Sequence, residues 1–272
     1  MDFKDIVYEQ TAGVAVVAYN RPERMNAWNA RMGDEARTAI LDAENDPKVR
    51  AIILTGSGRA FCAGADMQAL NSIAAGNEEI PEHRPASSRA SAANPNYQGR
   101  FSWMLGLKKP VICAINGPAV GMGFAITLYC DFRVAAQSAR MGLIFPRRGL
   151  AIEFGSSWML PRIVGLTNAM DLAMTGRLID ANEAQRLGLV SRVVPDGELM
   201  TAARALAEDL ATQCTPLGLS HIKRLVYGHL FTDLATALRE DDEATAEMLR
   251  SEDFREGIRA FQEKRAAKFT GR

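Results

Sequence analysis

The stretch GLAIEFGSSWMLPR, residues 149–162, carries a single carboxylate, Glu153, among Gly, Leu, Ala, Ile, Phe and Trp, with no basic residue nearer than Arg148. An isolated carboxylate is costly to bury in its charged form, and burial raises its pKa toward the range of a proton shuttle. Phe145, Ile152, Phe154 and Trp158 are available as a dry wall around it. Two readings stand side by side. Glu153 is a base in a dry pocket, or it is an acid ahead of a helix over SSWML that complements the helix dipole.

Two glycine-rich loops offer a second kind of chemistry. They are GSGRAFCAGADMQAL (56–70) and NGPAVGMGFAITL (116–128), each reading as strand, turn, helix. That geometry leaves backbone N–H groups unpaired at a helix start. Gly64 beside Ala65, and Gly121 and Gly123 flanking Met122, allow a ligand close to the backbone. Together the loops can aim two amides at one oxygen, which makes an oxyanion hole. GMGF lacks the third glycine of a dinucleotide fingerprint, and no GK[ST] follows GSGRAFCAG as a phosphate loop requires. Asp66 reads as the N-cap of a helix over DMQAL rather than as an acid, and Asp131 as structural. His83, His221 and His229 are scattered with no nucleophile motif beside them, so neither a triad nor a metal cluster emerges.

The elements that must position these groups follow from hydrophobic pattern. VAVVAY (14–19), VRAIILTG (49–56) and KPVICAING (109–117) are short apolar runs that predict strands buried on both faces of an α/β fold. Ala36, Ala39, Ile40 and Ala43 recur at helical spacing between the first two runs. Asp180 and Glu183 form a capping-box pattern that ends at Gly188, and LVSRVV (189–194) predicts a further strand. Residues 71–100 are polar, with Pro81, Pro85 and Pro95, and predict a long functional loop or lid. Beyond 196 only helices are predicted, with Leu199, Ala203, Leu206 and Leu210 on one face and Phe254, Ile258 and Phe261 on another. The chain therefore divides into an α/β body over 1–198 and a helical region over 199–272.

At 272 residues with 47% hydrophobic content, the chain is long enough for a substantial core. Its 32 basic residues balance 32 acidic ones, which gives no field for nucleic acid or an anionic membrane. No apolar stretch reaches membrane-spanning length, and MDFKDIVYEQ lacks a signal-peptide core. Cys62, Cys113, Cys130 and Cys214 form no CxxC pair and read as buried thiols of a cytoplasmic protein.

The segments NRPERMNAWN (20–29), GRAFCAGADM (58–67), NGPAVGMGFAITLYCDFRVAA (116–136), RRGLAIE with SSWMLPR (147–162) and FQEKRAAKF (261–269) resemble the crotonase, or enoyl-CoA hydratase/isomerase, superfamily along essentially the whole chain. The resemblance implies a crotonase-type spiral of βββα-like turns with a helical C-terminal trimerisation region, assembled as a homotrimer or a dimer of trimers. It implies an acyl-CoA thioester as substrate, so that coenzyme A enters as part of the substrate and no separate cofactor is needed. By motif match the thioester oxygen meets the amides of Ala65 and Met122. Arg24 matches a basic position that meets the CoA phosphates. Ala63, Ala65, Asp66 and Met67 belong to the CoA-binding loop, and Phe261 and Lys264 to a tail that closes over the nucleotide, often from a neighbouring subunit. For Arg24 and Lys264 a solvated surface role stands equally beside this.

The sequence departs from the family at one point. The superfamily's hydratases position water between two glutamates, and the matching positions here are Ala125 and Phe145. Glu153 instead matches an acidic catalytic position of the Δ3,Δ2-enoyl-CoA and dienoyl-CoA isomerases. A double-bond shift with Glu153 as acid and base is the leading expectation. A hydratase using Glu153 or a loop carboxylate (Glu78, Glu79, Glu82) comes second, and a thioester hydrolase or other relative third. A CoA-thioester-binding protein without turnover is the non-enzyme alternative. Met67, Phe101, Trp103 and Met104 are candidates for an apolar lining or for plain core.

Overall fold

Alternation along the apolar runs sends one set of side chains to each face of a sheet. The computed structural model describes residues 2–77 and 94–272, so Glu78, Glu79, Glu82 and His83 lie outside the described residues. The main sheet contains β1 (Ile6–Thr11), β2 (Val14–Tyr19), β3 (Ala51–Gly56), β4 (Val111–Ile115), β6 (Phe132–Ala136) and β9 (Arg192–Val194), in the order β1-β2-β3-β4-β6-β9. Only β1 and β2 are antiparallel, and every later pair runs parallel. A small second sheet joins β5 (Ala119–Val120), β7 (Arg140–Gly142) and β8 (Ile179–Asp180).

Both faces of the main sheet are covered, which explains why its strands read as continuous apolar runs. Ala15, Val17, Ile52, Leu54, Cys113 and Ile115 face a core shared with helix α1 (Ala30–Asn45), which buries Met32, Ala36, Ala39, Ile40 and Ala43. Val14, Val16, Ile53, Ile112 and Val134 face the other way, onto Leu199, Ala203, Ala207 and Leu210 of a helix over Leu199–Gln213.

In chain order between α1 and the helix over Leu199–Gln213 come helices α2 (Met67–Ala74), α3 (Met122–Thr127), α4 (Ser156–Val164), α5 (Leu166–Thr175) and α6 (Ala181–Arg186). The helix on the sheet is α7, followed by α8 (Pro216–Gly228), α9 (Leu234–Met248) and α10 (Glu252–Glu263). The polar segment predicted as loop from 71 is helical through Ala74, because Asp66 caps α2 and the helix outruns its apolar pattern. The capping box at α6 is half formed. Asp180 accepts from the Glu183 amide at 2.8 Å, while the Glu183 carboxylate turns to Arg177 at 2.7 Å.

Helix α10 is amphipathic in the reverse sense. Its row Phe254, Ile258 and Phe261 faces outward, Phe261 being 85% exposed, while Asp253, Glu256 and Ala260 are buried. The inward carboxylates are satisfied by the C-terminal tail. Asp253 accepts from the amides of Thr270 and Gly271 and from Thr215 Oγ1, and Glu256 accepts from Arg265, Arg259 and the Lys268 amide. Among the described residues no helix is long and apolar enough to cross a membrane.

Candidate active site

The two glycine loops leave neighbouring parallel strands and are stitched together by backbone. Cys62 donates to Pro118 O at 3.0 Å and accepts from the Val120 amide at 3.0 Å, a parallel bridge between the loops. A second bridge holds the first loop to the chain after β2. The Trp28 amide donates to Gly64 O at 2.7 Å, and the Asp66 amide donates to Trp28 O at 2.9 Å. A parallel bridge of this kind uses residues 64 and 66 and turns the N–H between them, that of Ala65, to the other side. Met122 opens α3, so its N–H is one of the free donors at a helix start. Among the described residues neither amide donates a hydrogen bond within the chain.

Glycine is required where the loops touch. A Cβ on Gly123 would run into the backbone of Cys62, and one on Gly64, at φ +104°, would lie 3.1 Å from Val120 O. The loops are therefore held at backbone contact, with a free amide on each.

Glu153 lies in a turn whose geometry is unusual for its residues. Phe154 has φ +56°, a region that bulky side chains avoid, and Gly155 follows at φ +68° as the N-cap of α4. The hydroxyl of Tyr129, from the end of the second glycine loop, donates to Phe154 O at 2.6 Å and holds the turn in place. The Tyr129 hydroxyl itself is pushed up to about 12 by burial. The Glu153 carbonyl accepts from the Ser156 amide at 3.0 Å, while its carboxylate makes no hydrogen bond among the described residues.

That carboxylate borders a cavity of about 630 Å³ lined by Arg100, Phe101, Tyr129, Phe154, Trp158 and Phe231 among others. Burial raises the Glu153 pKa above its ordinary value, and the charge of Arg100 pulls it partly back. Of the four wall residues expected from sequence, Phe154 and Trp158 line this cavity. Phe145 is packed behind Phe154, ring centroids 6.2 Å apart, and Ile152 faces a different, apolar hollow beside α5. The 3-10 turn over Phe145–Arg148 and the bend after it separate these neighbours in space. Of the four lining candidates, only Phe101 reaches the cavity. Trp103 and Met104 are core, and Met67 is exposed at the start of α2.

Phe101 also links the cavity to the glycine loops. Its ring lies 5.5 Å from Phe154 and 5.3 Å from Trp28, whose backbone carries the bridge to Ala65. On the far side Phe145 approaches Gly121, just before Met122. Ala65 and Met122 do not themselves line the cavity: Trp28 stands between Ala65 and Phe101, and Gly121 and Phe145 stand between Met122 and Phe154. Ala125 and Phe145 are both buried and carry no proton-transfer group.

The turn Pro22–Arg24 sits on the rim of the first loop, where the Ala63 amide donates to Met25 O at 3.1 Å. Arg24 and Met67 are exposed there. The Asp66 carboxylate is committed to the Gln68 amide at 3.0 Å and to Arg21 at 2.8 Å, and both hold its pKa below the usual carboxylate range. Phe261 and Lys264 sit exposed at the end of α10, and no hydrogen bond or ion pair among the described residues ties them to either loop. The tail beyond them docks at the start of β3, the end opposite the first glycine loop, where Arg50 donates to Phe269 O. Arg100, Tyr129 and Phe231 line the cavity beside Glu153 and were not among the residues singled out from sequence.

Comparison with known proteins places the whole chain. Residues 9–272 match the family model for enoyl-CoA hydratase/isomerase. The chain is 36% identical over 260 residues to a 1,2-epoxyphenylacetyl-CoA isomerase of Escherichia coli K12, covering 96% of each chain. It is 36% identical to a short-chain-enoyl-CoA hydratase of Clostridium acetobutylicum, covering 97% of each. A crystal structure of enoyl-CoA hydratase from Bacillus anthracis superposes with a TM-score of 0.87 at 31% identity, covering 99% of this chain and 100% of that one. The chain belongs to the enoyl-CoA hydratase/isomerase family.

Proposed function

We propose that this acyl-CoA-processing enzyme shifts a double bond in an enoyl-CoA thioester, with Glu153 moving the proton and the amides of Ala65 and Met122 receiving the thioester oxygen. The observation that carries this reading is the solitary, half-buried Glu153 carboxylate on an aromatic cavity, set against apolar residues at both 125 and 145. A 3-enoyl thioester gives up a proton at C2 to the carboxylate, and the charge passes into a dienolate whose oxygen lies between two N–H donors. The same carboxyl returns the proton at C4, leaving the conjugated 2-enoyl product. A raised pKa suits a group that must both take and return a proton. Each preorganised amide contributes about 2.7–4 kcal/mol of transition-state stabilisation in comparable sites.

Coenzyme A enters as part of the substrate. Arg24, Ala63 and Met67 stand where the bridged rim of the first loop would meet it, while Asp66 shapes that rim through its cap and Arg21. A homotrimer or dimer of trimers belongs to the same proposal. The outward apolar row of α10 supports it, and Phe261 and Lys264 would then reach the nucleotide of a neighbouring subunit.

Hydration is the second reading, favoured by the similarity to the clostridial hydratase. Glu153 alone would then activate water. Parallel absorbance assays with a 3-enoyl-CoA and a trans-2-enoyl-CoA separate the two. The proposal expects conjugation to appear from the first and little change in the second. Loss of absorbance from the 2-enoyl substrate alone would give the enzyme to hydration.

A further inference from the structure

The apolar part of the Glu153 cavity wall is mostly rings. Phe101, Tyr129, Phe154, Trp158 and Phe231 line it, with Leu105 and Met159 as its only aliphatic side chains among the described residues. The rings fall into two groups. Phe101 is the hub of the first, tilted against Phe154 at 5.5 Å and against Tyr129 at 6.3 Å. The second is a parallel stack of Trp158 on Phe231, with 5.3 Å between centroids and 3° between planes.

Each group has a polar tether on one of its members. Tyr129 is tied through its hydroxyl to Phe154 O, so the first group is anchored by a hydrogen bond as well as by packing. Trp158 carries the guanidinium of Arg162 at 3.2 Å from its ring centroid, and Arg162 also donates to Trp158 O at 3.0 Å. Phe231, from the turn after α8, brings the helical region to the cavity of the α/β body.

We propose that the acyl group accepted here is an aryl group, its ring held among Phe101, Phe154 and the Trp158–Phe231 stack. The inference rests on the acyl-CoA reading above and names the substrate class of the same site. A planar ring presents a negative face and a positive edge, and each well-placed aromatic neighbour adds about 0.5–1.5 kcal/mol beyond the area it buries. An alkyl chain gains only the area and gives up rotational freedom when it is ordered among the rings. Two such ring contacts correspond to about a tenfold preference.

The test is calorimetric binding with two thioesters of equal acyl carbon number, phenylacetyl-CoA and octanoyl-CoA, and with free CoA as reference. Wild type is expected to bind phenylacetyl-CoA about tenfold more tightly than octanoyl-CoA. Phe231→Leu, a change at a partly exposed ring that leaves the core intact, is expected to bring that ratio close to one without changing affinity for free CoA. Equal or tighter octanoyl-CoA binding by wild type would overturn the assignment. So would a preference that survives both Phe231→Leu and Trp158→Leu. If neither thioester binds more tightly than free CoA, the acyl-CoA reading falls together with the aryl one.

Discussion

At the scale of residues, Glu153 is a half-buried carboxylate on an aromatic cavity. Its carboxyl is raised by burial and only partly relieved by Arg100. A base works when ionised, so kcat/KM is expected to rise with pH through that raised pKa. Arg100→Gln removes the charge that lowers it and should move the acid limb to higher pH, which a pH–rate profile reads directly. The stability sign is opposite. With the folded pKa above the unfolded one, the native state binds more protons across that window, and stability falls as pH rises through it. Glu153→Gln should therefore melt at a higher temperature than wild type at pH 8, the gap closing below the ordinary carboxylate range. A lower melting temperature at pH 8 would show that Glu153 is a structural anchor. The partly buried setting of Glu153 was legible in the sequence because an isolated acid in an apolar run is a local signal. The approach of Arg100, Tyr129 and Phe231 was not, because each reaches the cavity only when distant segments meet, and Ile152, adjacent to Glu153 in sequence, faces another hollow.

At the scale of elements, the paired glycine loops are the feature on which the proposed oxyanion hole depends. Gly123 packs its Cα against the backbone of Cys62, the residue that bridges the loops. Gly123→Ala is expected to push the loops apart at a cost of about 1–3 kcal/mol in stability, as overpacking does. It should also lower kcat more than it raises KM, since amides matter most to the developing oxyanion. Chemical denaturation and steady-state kinetics on the same sample check both; unchanged kcat would argue against the hole. Strands β2, β3, β4 and β9, α1 and the Asp66 cap were readable from pattern and capping chemistry, as was the structural role of Asp131, whose carboxylate holds the Val111 amide and Lys223 at 2.7 Å each, whereas β1, with its outer half exposed, and the short strands of the second sheet were not. The bridges that register one loop against the other are backbone pairings between segments far apart in the chain, and side-chain pattern carries no trace of them.

At the scale of the whole molecule, α10 shows why periodicity finds a helix but not the direction it faces. Phe254, Ile258 and Phe261 share a face, as their spacing predicts, yet that face points to solvent in the single chain. The buried acids beneath take their partners from the tail. A helix arranged this way has its apolar row free for another subunit. Ile258→Asp is expected to reduce the mass measured by light scattering to that of a monomer while leaving the fold intact by circular dichroism, because Ile258 is half exposed here. An unchanged mass would remove α10 from the proposed interface.

The claim at the centre of this account is that one carboxylate moves the proton. The most direct measurement is the rate at which a 3-enoyl-CoA gains conjugation in wild type and in Glu153→Gln. Turnover by wild type and a loss of about 10²–10⁴ in kcat for the folded variant is the predicted result. Conjugation at an undiminished rate in Glu153→Gln would contradict it and move the search for the base elsewhere in the chain.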